Sequence, residues 1–324
     1  MPVILPRGQN THPRNVSRVV IMGGTHGNER VGVHALQYIL THTFEFAKGS
    51  VNDIYPLFGN PPAIRRNSRY IETDLNRCFT YDYANPRLSC EDDCFLESRR
   101  AFEIRNELGA NTQPVDFLID MHTTTSNMGN CLIIADIEPW TLALCRRVAA
   151  QVMGCRIVYD PCSREEDKNS SSLAVNSITL EMGPFQQGVA DSQGIHTALS
   201  IVKVIISVLD ELNGKSQDEL KSPEGIPIFQ TLPFSVDYPR DENKFNTCFI
   251  HEKFMHQDYV PLQSASLLFR SYDGGEVRCS DTSVIGEALL HNINRGEELS
   301  AIFVGESAYV EKGIAFIPVV KKIM

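Results

Sequence analysis

The first two-thirds of the chain alternates short apolar runs with longer amphipathic ones, the pattern of strands and helices wound into an α/β layer. The apolar run at 16–22 reads as a strand that stops at Gly23-Gly24, and 30–40 then carries Val33, Leu36, Ile39 and Leu40 at roughly helical spacing. The same reading predicts strands at 51–58, 115–122, 131–135, 155–159 and 178–182, and helices at 96–108, 141–153 and 193–212. In the helix at 96–108, Leu96, Phe102, Ile104 and Leu108 stand among charged residues, which marks a surface helix with one covered face. After Asn213-Gly214 the pattern lapses: 215–226 is polar, contains Pro223 and Gly225, and has no clear period. From 227 onward, β-prone pieces at 228–232, 266–272 and 301–304 lie between turn signals such as Asp273-Gly274-Gly275. The expected organisation is a loose arm at 1–15, a large α/β domain at 16–214, a linker at 215–226 and a smaller, mostly β domain at 227–324.

Composition narrows the class. No run of 18 or more apolar residues occurs, so a membrane span is not expected, and residues 1–15 lack the apolar stretch of a secretory signal. The nine cysteines form an odd, irregular set in a chain large enough not to need stapling, which suits reduced thiols in a cytoplasmic protein. Cys90 and Cys94 resemble half of a zinc site, but no second Cys or His pair follows at a ribbon-like spacing. A net charge of −10 argues against a nucleic-acid partner, because phosphate binding needs a basic face. An anionic small molecule must then be held by a local cationic patch. Assembly into a homo-oligomer is compatible with the sequence.

Four segments carry candidate chemistry. The first is Gly23-Gly24-Thr25-His26-Gly27-Asn28-Glu29, where the first strand should end, and ligands bind at the carboxyl ends of strands in open α/β sheets. His26 and Glu29 can both ligate zinc, and their i, i+3 spacing turns them toward one point if a helical turn begins there. Taken alone, the pair also fits a helix start with Glu29 in its first turn. The second segment is Asp120-Met121-His122, at the end of a predicted strand and on the same sheet edge. His122 would complete a two-His, one-carboxylate set that leaves a coordination position open for water, with Asp120 behind it. Third, Glu181 sits inside an apolar strand just before Gly183-Pro184, where burial would raise its pKa and suit it to moving a proton. The fourth segment holds Arg65, Arg66, Arg69 and Asp74-Leu75-Asn76-Arg77, a cationic cluster in an acidic protein. Guanidinium groups recognise carboxylates and stabilise oxyanions, although Arg65 and Arg66 read as solvated.

The segments GGTHGNE, NPPAIRRNSRYIETDLNR, DMHTTTSNMG, TLEMGPFQQGV, VDYPRDEN and ESAYVEKGIAF occur in order from residue 23 to residue 316. Together they resemble the aspartoacylase family, which includes an aminoacylase type acting on N-acylated aromatic amino acids. The resemblance implies a zinc carboxypeptidase-like mixed sheet flanked by helices, followed by a smaller β-rich domain that narrows access to the site. It implies one Zn2+ per chain on His26, Glu29 and His122, with Glu181 as the catalytic carboxylate. It further implies that Arg69 polarises the scissile carbonyl, that Asn76 and Arg77 hold a substrate carboxylate, and that Tyr309 reaches in from the second domain.

The reaction expected on these grounds is hydrolysis of an N-acyl, most simply N-acetyl, L-amino acid to a carboxylate and the free amino acid. Acetylaspartate is the first expectation. One stretch departs from that pattern: the Tyr and Arg that aspartoacylases carry before the catalytic Glu align with Asp167 and Ser171. Lys168 lies close enough to supply a charge for a side-chain carboxylate, without the fork of an Arg. An aminoacylase acting on aromatic or other neutral amino acids is therefore the alternative. A metallocarboxypeptidase shares the ligand set, and a non-catalytic binding protein on the same scaffold is a rival of another class.

Overall fold

The computed structural model describes residues 15–43, 48–50, 52–79, 95–109, 115–161, 168–216 and 219–323. Residues 1–14 of the arm expected at 1–15, the Cys90 and Cys94 pair, and Asp167 lie outside the described residues.

A ten-stranded mixed sheet forms the body of the protein. Its strands are β1 (Arg18–Gly23), β2 (Asp53–Phe58), β3 (Val115–Thr123), β4 (Gly129–Ile134), β5 (Arg156–Tyr159), β6 (Ala174–Gly183), β7 (Ile228–Thr231), β8 (Val236–Asp237), β12 (Leu299–Ile302) and β13 (Ile314–Lys322). Across the sheet the order is β12-β13-β7-β5-β4-β6-β3-β1-β2, with β8 paired to β13. β2, β1, β3 and β6 run parallel, while β4 is antiparallel to β6. The strands β9 (Cys248–Ile250), β10 (Leu267–Ser271) and β11 (Glu276–Arg278) form a separate antiparallel sheet.

Among the described residues, five helices of more than one turn fall in the first two-thirds: α1 (Arg30–Thr41), α2 (Pro61–Arg66), α3 (Leu96–Leu108), α4 (Pro139–Gln151) and α5 (Ser192–Leu212). One sheet face packs Val19, Ile21, Phe117, Ile119, Met121, Ile178 and Leu180 beneath α1, α4 and α5. On the opposite face, Val20, Met22 and Leu118 pack against Ala101, Ile104 and Leu108 of α3. Both faces of the central strands are thus covered, which is why β3 and β6 read as apolar runs rather than as alternating ones. A polar residue in such a strand must find a partner. Asp120, His122 and Glu181 are the buried ionisable groups of these two strands, and register places His122 directly beside Glu181 and Asp120 beside Thr179.

The C-terminal strands are distributed differently from a simple appended unit. β7, β13 and β12 extend the main sheet beyond β5, and only β9 to β11 stand apart. Short parallel pairing between β5 and β7 joins the two regions edge to edge, and an edge strand left open by the first region is thereby covered. A second core, including Val236, Ile250, Phe254, Phe269, Leu289 and Phe316, lies in the C-terminal region. Among the described residues, no helix is long and apolar enough to cross a membrane.

Candidate active site

The segment after β1 is shaped by two glycines. Gly24 has φ of +71°, a left-handed conformation that favours glycine. A Cβ on Gly27 would stand 2.1 Å from the Ala63 carbonyl carbon, so the loop can seat against α2 only without a side chain there. Thus seated, Gly27 N–H donates to the Arg69 carbonyl at 3.2 Å, and a single turn brings Glu29 N–H to the His26 carbonyl at 3.2 Å. That turn carries the His26 and Glu29 side chains to the end of β3, where His122 emerges.

His26, Glu29 and His122 are each only 3% exposed, and one ligand atom from each lies within 4.8 Å of the others. His26 Nδ1 is 2.6 Å from Glu29 Oε1, His122 Nδ1 is 3.0 Å from Glu29 Oε2, and the two Nδ1 atoms are 3.2 Å apart. Each ring turns its other nitrogen to an aspartate: His26 Nε2 lies 3.0 Å from Asp74 Oδ1, and His122 Nε2 lies 2.9 Å from Asp120 Oδ2. Asp120 is held in turn by the hydroxyls of Thr25 at 2.9 Å and Ser170 at 2.6 Å. An imidazole that donates one N–H to a carboxylate presents a lone pair on its other nitrogen, so both Nδ1 atoms face the Glu29 carboxylate as donors to a cation. Two imidazoles and a carboxylate converging on one buried point fit a divalent metal ion.

The charges agree with that fit. Burial works against the Glu29 charge, but the His26 and His122 rings outweigh it and hold the carboxyl well below its usual range. Burial also pulls His122 down, yet Asp120 and Glu29 together carry it well above the ordinary value. A cation at the same point would displace that proton, since metal binding and histidine protonation compete. Asp74 is buried too, and is held low by His26 and Arg69.

A cavity of about 290 Å³ opens beside this cluster. It is lined by His26, Glu29, His122, Glu181, Arg69, Asn76, Arg77, Lys168 and Tyr309, so the residues singled out from the sequence meet on one surface, with Asp120 behind His122. Glu181 is 8% exposed, and burial together with the charges of Glu29 and Glu306 pushes its carboxyl well above the usual range, against the pull of His122 and Arg69. Arg69 NH1 donates to Glu29 Oε1 at 3.2 Å, and its other terminus faces Asp74 Oδ2 at 3.5 Å. Arg77, which is exposed, donates to the Asn76 carbonyl at 2.7 Å, and Asn76 Oδ1 accepts from Ser170 N–H at 2.9 Å. Arg65 and Arg66 are exposed and do not line the cavity. Ser171 lies in the 3-10 turn Ser170–Leu173, bonds Asn169 through its hydroxyl, and is not a wall residue.

Three further acidic residues, Asp74, Glu97 and Glu306, hold the site together through partners distant in sequence. Asp74 was visible only as one letter of the Asp74-Leu75-Asn76-Arg77 run, and its pairing with His26 depends on a fold contact across 48 residues. Glu97 of α3 is fully buried and accepts from the backbone N–H groups of Ile71 at 2.7 Å, Glu72 at 3.2 Å and Thr73 at 3.1 Å, fixing the strap between Arg69 and Asn76. Glu306, 3% exposed, clamps the 123–126 turn: its Oε2 accepts from the Thr124 hydroxyl, the Thr125 N–H at 2.7 Å, the Thr125 hydroxyl at 2.9 Å and the Ser126 N–H at 3.3 Å. Oε1 caps the one-turn helix Ser307–Val310, which carries Tyr309, by accepting from Ala308 N–H at 3.1 Å.

Comparison with known proteins gives a consistent set. The catalytic-domain model of the succinylglutamate desuccinylase/aspartoacylase family matches residues 15–209. A human protein named N-acyl-aromatic-L-amino acid amidohydrolase (carboxylate-forming) is 32% identical over 309 residues, 93% of this chain and 89% of its own length. A probable aspartoacylase from a Nostoc species is 32% identical over 307 residues, covering 93% of this chain and 95% of that protein. The crystal structure of murine aminoacylase 3 superposes with a TM-score of 0.83 at 28% identity, covering 96% of this chain and 97% of that one.

Proposed function

The chain belongs to the succinylglutamate desuccinylase/aspartoacylase family, and from that premise we propose that it is a zinc-dependent hydrolase releasing the free amino acid from an N-acyl, most simply N-acetyl, L-amino acid. The observation that carries this reading is the convergence of both histidine Nδ1 atoms on the Glu29 carboxylate, each ring backed by an aspartate, beside a cavity holding Glu181 and Arg69. Two imidazoles and one carboxylate suit zinc and leave a coordination position free, and the bound ion would supply an acidified water and a polarised carbonyl.

This chain's own residues do the rest. Glu181 takes the proton of the attacking water and passes it to the leaving nitrogen. Its raised pKa brings proton affinity closer to that of the groups it exchanges with. Arg69 is fixed by Glu29 and Asp74 with its guanidinium on the cavity wall, where it stabilises the oxyanion that forms as the carbonyl is attacked. Asn76 and Arg77 hold the α-carboxylate, and Tyr309 closes over it from the C-terminal region. Asp120 fixes the orientation of His122. The division into a catalytic domain at 16–214 and a β-rich domain at 227–324 that narrows the entrance belongs to the same proposal. It is supported by the cavity, to which Phe303, Glu306 and Tyr309 contribute opposite Glu181 and Arg69.

A specific feature favours neutral substrates over acetylaspartate. Ile133, Val158, Ile302, Phe303 and Ile317 line the cavity, an apolar wall that a charged side chain would have to desolvate against. Lys168 also lines the cavity, and its exposed, flexible stem presents no fixed fork for a side-chain carboxylate. The reading is tested with Glu181→Gln, which keeps shape and bound zinc but cannot take the water proton. Turnover is expected to fall ~10²-fold or more. Near-normal turnover in that variant would place the proton shuttle elsewhere.

A further inference from the structure

One buried residue joins the metal point to the residue that grips the substrate. Ser170 opens the 3-10 turn Ser170–Leu173, just before β6, and is 2% exposed. Its hydroxyl donates to Asp120 Oδ2 at 2.6 Å, the same oxygen that faces His122 Nε2 at 2.9 Å, while the Thr25 hydroxyl holds Oδ1 at 2.9 Å. Its backbone N–H donates to Asn76 Oδ1 at 2.9 Å. These partners lie 50 and 94 positions away in sequence. The turn is fastened to the Asn76 segment at two further points. Phe79 N–H donates to the Lys168 carbonyl at 3.0 Å, and Arg105 Nη2 donates both to the Phe79 carbonyl and to the Ser172 hydroxyl, the latter at 2.7 Å.

Each bond of Ser170 fixes a choice that its partner leaves open. An aspartate holds a histidine ring only as firmly as it is held itself. With Oδ1 on Thr25 and Oδ2 on Ser170, Asp120 keeps one oxygen at His122 Nε2, so the Nδ1 of that ring stays on the metal point. A primary amide has an acceptor end and a donor end, and only the donor end binds a carboxylate. With its oxygen engaged by Ser170 N–H, Asn76 has its NH2 group to offer the cavity that it lines. We propose that Ser170 is a positioning residue for both grips: its hydroxyl steadies Asp120 behind the metal ligand His122, and its N–H turns the Asn76 amide so that the NH2 group faces the substrate carboxylate. The second half rests on the deacylase reading above, which puts the α-carboxylate there, whereas the first half needs only the metal.

The two roles use different atoms and separate by substitution. Ser170→Ala removes the hydroxyl and keeps the N–H. Ser170→Pro removes both, at the first position of a turn, where proline is tolerated, and after Asn169, whose extended backbone (φ −96°, ψ 172°) suits a following proline. Zinc affinity of the full chain is read by competition with a chromophoric chelator, without substrate. Ser170→Ala should bind zinc about tenfold more weakly, and in an Asp120→Asn background the same change should cost less than about threefold, because it acts through Asp120. Unchanged affinity in Ser170→Ala, or an equal loss in both backgrounds, overturns the first half. With zinc saturating, the ratio of kcat/KM for acetylmethionine to that for its carboxamide reads the second half. The ratio should stay within about twofold of the parent in Ser170→Ala and fall about tenfold in Ser170→Pro, chiefly through the KM of acetylmethionine. Asn76→Asp keeps an acceptor for the Ser170 N–H but has no donor, so it should lose the preference too, and it decides the point if Ser170→Pro does not fold. A preference kept in either variant, or lost in Ser170→Ala, overturns the second half. If no acetyl amino acid is turned over or bound, the deacylase reading falls and takes the second half with it, while the zinc measurements still decide the first.

Discussion

Glu306 offers the sharpest prediction about how the C-terminal region supports the site. Its carboxylate accepts two backbone N–H groups and two hydroxyls from the 123–126 turn, and a further N–H from the helix that carries Tyr309. Glu306→Gln preserves volume but turns one oxygen into an NH2 group. If that group replaces Oε2, the Thr125 and Ser126 N–H groups face a donor in a buried setting. If it replaces Oε1, the Ala308 cap is lost. A buried donor left unsatisfied costs ~1–3 kcal/mol, so the variant should lose about 2–4 kcal/mol of stability. With ~2.1 cal/mol/K of unfolding entropy per residue over 324 residues, each kcal/mol shifts Tm by ~1.5 °C, so Tm should fall by about 3–6 °C. Activity should fall as well, because Thr123 N–H bonds Glu29 Oε2 at 3.0 Å and the same turn begins there. Thermal unfolding followed by circular dichroism, with kcat/KM measured well below Tm, reads both effects. A Glu306→Gln protein with unchanged Tm and unchanged kcat/KM would refute the clamp.

Two further predictions follow from buried carboxylates. Asp120→Asn should lower zinc affinity about 10–100-fold, measured by competition with a chromophoric chelator, because the His122 ring loses a charged partner while its geometry is kept; unchanged affinity would deny Asp120 that role. Burial pushes Asp258 up to about 6, even though its carboxylate accepts the N–H groups of Asn127 and Val304. Its folded-state pKa lies above the ordinary value, so its contribution is present at acid pH and is lost as pH rises through about 6. Asp258→Asn should therefore gain in stability relative to the parent as pH moves from about 4.5 to about 7.5, by at most ~2 kcal/mol, read as a rise in its relative Tm. A difference independent of pH would show that the charge carries no cost there.

Much of the catalytic region was legible because its signals are local. The strand ends at Gly23 and Thr123 and the helices at Arg30–Thr41 and Leu96–Leu108 fall within a few residues of their predicted positions, since apolar period and glycine stops determine them. His26, Glu29, His122 and Glu181 stood out because ionisable groups at the ends of apolar runs need a reason to be there. What the sequence concealed is non-local. Asp74, Glu97 and Glu306 act on residues 48, 26 and 182 positions away respectively, and a lone acidic letter in a polar run looks the same whether it is solvated or buried. The pairing of β7, β12 and β13 with the main sheet was hidden for the same reason: short β-prone pieces announce strands but not their neighbours.

The most direct test of the central claim is acetate release from a panel of N-acetyl amino acids, including acetylaspartate, acetylmethionine and acetyltyrosine, before and after removal of zinc by a chelator. The account predicts turnover that disappears with the metal and returns when about one zinc per chain is restored, with the neutral substrates turned over at a higher kcat/KM than acetylaspartate. Turnover that persists in the metal-free protein would contradict it.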